Sequence, residues 1–405
     1  PAPRPVERLA VLGAGFMGAG VASVSLGKCP VVLKDISDEA LGAGIRTIEK
    51  GLKAQTRSGA ITHREADRRR SALLATTDNA DLAAADLVIE AVFEDLDLKR
   101  RVVAEVEAQI APEAVLASNT SALPIAKIAE GARHPERILG MHYFSPVPKM
   151  PLLEIVVAET TADWATATAR DFGIAQGKTC IVVKDGPGFY TTRILAPYLN
   201  EAVVLLEEGA KIEDLDRVLK DFGYPVGPVA LMDEVGIDVG AHVAADLGAA
   251  FAERGLGSSD ALPKMYEAGF EGRKNGQGFY LYPKKKRKGP KPVNTEVYRF
   301  FGGPDRRNVA ADEIRDRMAL LMVNEAVHCL DEGVIASTED GDLGAILGLG
   351  FPPFRGGPFR YVDHEGAAAI VERMEALAQR HGPRFQPAAG IQELTKSGRL
   401  FYPEG

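Results

Sequence analysis

The sequence is poor in the features that would place it in several large classes of protein. Its three cysteines, Cys29, Cys180 and Cys329, are far apart and odd in number in a chain of 405 residues. That excludes a disulfide-framed secreted scaffold and points to reduced thiols, in a bacterial cytoplasm or a mitochondrial matrix. The seven histidines show no HxxxH spacing and the cysteines no CxxC, so no metal is expected. No apolar run approaches the roughly 20 residues needed to span a bilayer, so no integral membrane segment is expected. Lys and Arg number 48 against 56 Asp and Glu, a formal net charge of −8. This excludes a general basic surface for nucleic acid or anionic lipid. The opening PAPRPVERLA lacks a charged-then-apolar leader and begins with proline, which reads as a fragment or a processed product. Without such a leader, the sequon Asn119-Thr120-Ser121 is accidental.

What is present is ordinary globular material: 46% hydrophobic and 26% charged residues, long enough for about two or three domains. Over 8–185, β-branched runs (RLAVLGAG, PVVLKD, ADLVIEAV, AVLASNT, RILGMHYF, LLEIVVAE and TCIVVKDG) alternate with helical patterns such as 38–58 and 96–110. Strands alternating with helices imply parallel pairing in a doubly wound α/β sheet. After GPGF (186–189) long helical patterns take over, interrupted by the basic break KKKRKGPKP (284–292), read as a solvated linker. An internal repeat relates 193–236 to 317–366: R-x6-NEAV, then EG, an acidic helix start, a Gly-aromatic-Pro turn, GP and a late Asp. The expected organisation is a Rossmann-type domain (1–185), a helical domain (186–283), a basic linker (284–310) and a duplicated helical domain (311–405).

Gly13-x-Gly15-x-x-Gly18 follows a strand and opens a helix. These glycines permit a tight turn, backbone approach to a pyrophosphate, and close helix–strand packing, while the helix N-terminus faces the phosphates. Asp35 ends the second strand, where a carboxylate binds the adenine ribose hydroxyls and repels a 2′-phosphate, so NAD is expected over NADP. Glu94 and Lys99, after the strand ADLVIEAV, become candidates for the nicotinamide side, against the bland reading of a capped, solvated helix. Ser121 in SNTSALPI either caps a helix or turns its hydroxyl toward the reacting centre. His142 ends a probable strand and Glu154 follows across a short loop. Oxidising an alcohol requires a base for the hydroxyl proton, and a carboxylate on the other imidazole nitrogen fixes the tautomer and stabilises the imidazolium. Lys53 and Arg57 could meet phosphates or line a solvated helix face.

Taken in order, VLGAGFMGAG, VIEAVFEDLDLK, SNTSALPI, GMHYFSPVPKM, VVKDGPGFYTTRILAP, GRKNGQGFY and the repeated GLGFPPFRGGPFRYVD make the chain resemble the 3-hydroxyacyl-CoA dehydrogenase family. Within it, the resemblance is to the dehydrogenase portion of multifunctional fatty-acid β-oxidation α subunits, the trifunctional protein included. The resemblance implies helical domains like the C-terminal part of 6-phosphogluconate dehydrogenase. It implies His142 as catalytic base, Glu154 as its partner and Ser121 as a contact to substrate and nicotinamide. It places Phe16 and Met17 of the glycine loop, Asp35, Val92, Phe93, Glu94, Lys99, Ser145 and Lys274 at the cofactor. Thr192 falls at a substrate position, and Lys53 and Arg57 are candidates for the CoA phosphates. Ser145 and Thr192 stand where single-function members carry asparagine, which marks the multifunctional subgroup.

The implied reaction is NAD-dependent oxidation of (3S)-3-hydroxyacyl-CoA to 3-oxoacyl-CoA. Such α subunits carry a hydratase domain upstream and work with a thiolase β subunit. The chain read here has no hydratase segment and is expected to lack that activity, acting as a homodimer or complex member. Two alternatives stand beside this one. A β-hydroxyacid dehydrogenase would need a lysine that GPGFYTTRILAP does not offer, and a non-catalytic NAD-binding scaffold would not need His142, Glu154 and Ser121.

Overall fold

A computed structural model describes residues 2–252, 254–257, 259–283, 289 and 291–403; the side chains of 242–247 and 249–250 lie outside that description. The chain divides into two compact units, Pro1–Phe189 and Tyr190–Gly405. Among the described residues no helix is long and apolar enough to cross a membrane.

The first unit is built on one sheet. Its strands are β1 (Leu9–Leu12), β2 (Val31–Lys34), β3 (Leu73–Thr76), β4 (Leu87–Glu90), β5 (Val115–Ser118), β6 (Ile138–Tyr143), β7 (Leu152–Val157) and β8 (Thr179–Lys184). They lie in the order β3-β2-β1-β4-β5-β6-β7-β8. Helices α1 (Phe16–Ser25), α2 (Asp38–Arg57), α3 (His63–Ser71), α4 (Leu96–Glu107), α5 (Ile125–Ile128) and α6 (Asp163–Ala175) complete the unit. The inner strands are continuous apolar runs, as strands covered on both faces must be, and Leu9, Val11, Ile89, Val115 and Leu139 are fully buried. The chain turns from β1 outward to β2 and β3, then crosses to β4. The β1–β4 junction is therefore the switch point at which open α/β sheets bind ligands.

Two features depart from the sequence expectation. Strand β3 does not appear among the expected runs, because it is four partly exposed residues after the arginine-rich α3, paired only to β2. The expectation of parallel pairing fails at one place: β6 and β7 run antiparallel, since only a loop joins them and a parallel return needs a long crossover. In this register His142 lies directly opposite Glu154.

The second unit is helical: α7 (Thr191–Glu207), α8 (Ile212–Phe222), α9 (Pro228–Val235), α10 (Ile237–Ala252), α11 (Ala261–Glu267), α12 (Ala311–Asp331), α13 (Thr338–Leu349), α14 (Pro358–Glu365), α15 (Ala367–His381) and α16 (Ala389–Ser397). Residues 284–288 and 290 of the basic break lie outside the described residues. Within the remainder of the expected linker, Thr295–Phe300 forms a 3-10 helix that buries Val297 and Tyr298, and the Tyr298 hydroxyl accepts from the Ile212 amide at 3.1 Å.

The repeat has a structural counterpart in reciprocal ion pairs. Arg193 on α7 reaches Glu325 (2.7 Å) and Glu332 (2.8 Å) of the second copy. Arg317 on α12 reaches Glu201 (2.6 Å) and Glu208 (2.7 Å) of the first. Each copy thus neutralises the other's glutamates. A second correspondence stays within each copy: Asp233 accepts from the Phe279 and Tyr280 amides, and Asp363 from those of Phe401 and Tyr402. A sequence comparison confined to 193–236 and 317–366 misses this extension to the two Phe-Tyr pairs.

Arg317 and Glu201 are fully buried, and removing Arg317 leaves Glu201 with Arg384 (2.8 Å) in place of two guanidinium partners. Arg317→Met should destabilise the chain by about 3–5 kcal/mol, read as a drop in the denaturation midpoint of the helical unit's transition.

Candidate active site

The site is assembled from loops at the carboxyl ends of β1, β2, β4, β5 and β6. Beyond β1, Gly13 has φ +94°, and a Cβ there would lie 2.6 Å from the Ala91 carbonyl oxygen. Gly18 is as constrained, its Cβ falling 1.8 Å from the Gly13 carbonyl oxygen. A Cβ on Gly15, by contrast, would meet nothing within 4 Å, so the start of α1 is open to a ligand. Asp35, after β2, accepts from the Ala14 amide (2.6 Å) and the Ile36 amide (2.6 Å), which ties the acid to the glycine loop. Phe16 (64% exposed), Phe93 (86%) and Ile36 (89%) leave large apolar surfaces uncovered. Ile36, which is not among the residues expected from sequence, directly follows Asp35, the acid expected at the ribose. An open glycine turn, an acid at the end of β2 and uncovered apolar faces fit a dinucleotide.

At the ends of β4 and β5 a connected set of polar groups runs from the interior outward. Glu90, the last residue of β4, is fully buried and accepts from Lys99 Nζ at 2.9 and 3.0 Å, from the Ser118 hydroxyl, and from the Val92 amide at 3.2 Å. Burial raises the Glu90 pKa, opposed by Lys99 and Ser118. Lys99 is itself buried, and its ammonium also stands 3.4 Å from Glu94. Glu94 in turn accepts from the Thr120 hydroxyl (2.6 Å), the Ser121 amide (2.9 Å) and the Ser121 hydroxyl (3.4 Å). The expected pair Glu94 and Lys99 therefore meets Ser121 in one network, and Glu90 is the member that sequence reasoning left outside the site. Its signal was a charge ending the apolar run LVIE, nine residues before a lysine.

At β6 and β7, His142 Nδ1 lies 2.6 Å from Glu154 Oε2. Glu154 is fully buried, and the imidazole packs against Phe144 (ring centroids 4.5 Å apart) and Phe189 (6.0 Å). A carboxylate on Nδ1 holds the proton there and turns the Nε2 lone pair outward as an acceptor. Asn119 Oδ1 accepts from the Tyr143 amide at 2.9 Å, fastening the β5 loop to the residue after the histidine. Lys178 donates to the Val147 and Met150 carbonyls beyond β6; neither it nor Asn119 is among the residues expected from sequence.

The remaining expected residues are more dispersed. Met17, in the first turn of α1, and Val92, in the loop after β4, are half-buried, and Ser145 is exposed three residues beyond His142. Lys53 and Arg57 are exposed on the last turns of α2. Thr192 and Lys274 belong to the second unit, where Lys274 Nζ donates to both Asp238 oxygens at 2.7 Å.

Residues 8–186 match the sequence model of the 3-hydroxyacyl-CoA dehydrogenase NAD binding domain. Residues 188–282 and 314–405 match that of the 3-hydroxyacyl-CoA dehydrogenase C-terminal domain. The chain belongs to the 3-hydroxyacyl-CoA dehydrogenase family.

Among relatives of this 3-hydroxyacyl-CoA dehydrogenase chain, the fatty acid oxidation complex subunit alpha of Shewanella amazonensis is 47% identical over 99% of the chain. The chain spans only 57% of that relative's length. Among solved structures, the 3-hydroxybutyryl-CoA dehydrogenase of Escherichia coli K12 superposes with a TM-score of 0.85 at 27% identity, covering 98% of this chain and 100% of that one. The dehydrogenase part of multifunctional enzyme 1 from C. elegans gives 0.65 at 25% identity, over 96% and 90%. The family's dinucleotide is NAD, and the chain is an NAD-dependent dehydrogenase by its family.

Asp35→Ser removes the carboxylate that would repel a 2′-phosphate. NADH affinity should fall about tenfold and the NADPH-to-NADH affinity ratio should rise, both read by fluorescence titration.

Proposed function

We propose that the chain catalyses (3S)-3-hydroxyacyl-CoA + NAD⁺ → 3-oxoacyl-CoA + NADH + H⁺. NAD, when bound, accepts the hydride leaving C3. His142 Nε2 takes the proton of the substrate hydroxyl, and the Glu154 carboxylate keeps the Nδ1 proton in place and stabilises the imidazolium. Ser121 donates its hydroxyl to the substrate oxygen as it becomes a carbonyl. Buried walls around the pair exclude water from the proton transfer.

The observation that carries this reading is the 2.6 Å contact between His142 and the fully buried Glu154. The thioester class is supported by the relatives' names and by exposed Lys53 and Arg57, offered to the CoA phosphates. A β-hydroxyacid dehydrogenase gains nothing here, because Arg193, the cation in GPGFYTTRILAP, is committed to Glu325 and Glu332. By the same likeness the protein works within a fatty-acid oxidation complex, with a thiolase subunit as partner.

His142→Gln keeps a polar side chain but removes the base. It should lower kcat by about 100-fold or more while NADH affinity stays near the parent value. Near-parental turnover of 3-hydroxybutyryl-CoA would remove His142 from the role. Comparable turnover of free 3-hydroxybutyrate would remove the thioester from the substrate.

A further inference from the structure

We propose that Glu90 is a positioning residue for the reaction: it holds Lys99, Lys99 sets Glu94, and Glu94 fixes Ser121 by its amide, so that the hydroxyl can turn from its long 3.4 Å contact with Glu94 to the substrate oxygen. The inference rests on the proposed reaction and goes beyond it, by assigning a role to a group well inside the sheet.

Glu90 stands opposite Leu12 on one side and Ser118 on the other, in the middle of the sheet. One Glu90 oxygen receives Lys99 and the Ser118 hydroxyl; the other receives Lys99 and the Val92 amide. A buried glutamate–lysine pair is a poor device for stability alone, since an apolar pair of like volume serves as well or better. This pair does something an apolar pair would not. It divides one ammonium between two carboxylates, with contacts of 2.9 and 3.0 Å to Glu90 and a longer 3.4 Å to Glu94. The longer contact restrains one Glu94 oxygen and leaves the other to Thr120 and Ser121.

Without the Glu90 charge, the Lys99 ammonium has Glu94 as its remaining anion and moves fully onto it. Glu94 is then drawn off the Thr120 hydroxyl and the Ser121 amide, and Ser121 loses the anchor that places its hydroxyl. The substrate oxygen would lose a placed donor while the glycine loop and Asp35, on β1 and β2, are untouched. The effect belongs in kcat more than in NAD affinity.

Glu90→Gln is close to isosteric and removes only the charge. The test measures wild type, Glu90→Gln, Ser121→Ala and the double variant for kcat with 3-hydroxybutyryl-CoA and NAD⁺. NADH affinity by fluorescence and the melting temperature of the ligand-free chain are measured alongside. The expected result is a kcat about tenfold or more below wild type for Glu90→Gln, with a smaller loss of NADH affinity, because the shift falls at the nicotinamide side and spares the glycine loop and Asp35. In the Ser121→Ala background the same change should cost less than about twofold, because the path it acts through is gone. A kcat within about twofold of wild type overturns the proposal, and so does an equal loss in both backgrounds. Should Glu90→Gln fail to fold, Ser118→Ala removes one hydrogen bond to the same carboxylate. It should lower kcat about threefold in the parent and leave it unchanged beside Ser121→Ala; no loss, or an equal loss in both, overturns the proposal. A wild type that binds NADH but does not turn over the thioester overturns the reaction itself, and the role of Glu90 with it.

Discussion

The proposed chemistry depends on one hydrogen bond, between His142 Nδ1 and Glu154 Oε2 across the β6–β7 ladder. A parallel sheet delivers functional side chains to its carboxyl edge, but each strand must return by a crossover, so facing residues come from distant parts of the chain. Here the sheet reverses direction once, between β6 and β7, and a loop brings the carboxylate back directly opposite the imidazole. Burying Glu154 is costly unless it is hydrogen-bonded, and the imidazole supplies that bond. Each group thus makes the other tolerable inside the sheet, and in the proposed reaction the pair takes the substrate's hydroxyl proton.

Elsewhere the protein handles buried charge in the same way, by sharing it. Lys99 is divided between Glu90 and Glu94, which connects the β4 and β5 ends to Ser121. In the helical unit Arg193 and Arg317 exchange partners between the two copies of the repeat, so neither copy has its buried glutamates neutralised without the other. Loss of one member in either cluster leaves buried charges with fewer partners, which couples stability to the integrity of the whole set.

Much of this was legible in the sequence. Gly13, Gly15, Gly18 and Asp35 mark a glycine loop and its acid because backbone approach and ribose binding demand those residue types at that spacing. His142 and Glu154 could be read as a pair, but their contact could not, because it depends on register. A slip of one residue would have turned Glu154 to the opposite face of the sheet. Strand β3 was hidden by its brevity and exposure at the sheet edge. Glu90 was hidden because a charge at a strand end reads as the start of a loop; only the structure puts it opposite Ser118 and beneath Lys99. The repeat was visible as matching letters, whereas the exchange of Arg–Glu partners between copies was not, since Arg193 and Glu201 share a helix and neither bonds to the other.

The most direct test of this arrangement is the protonation pattern of the His142 ring, read by nitrogen-15 NMR at mildly alkaline pH and assigned by comparison with His142→Gln. A carboxylate fixed on Nδ1 predicts a neutral ring carrying its proton on Nδ1, with Nε2 unprotonated and able to accept. A proton on Nε2, with Nδ1 bare toward Glu154, would contradict it.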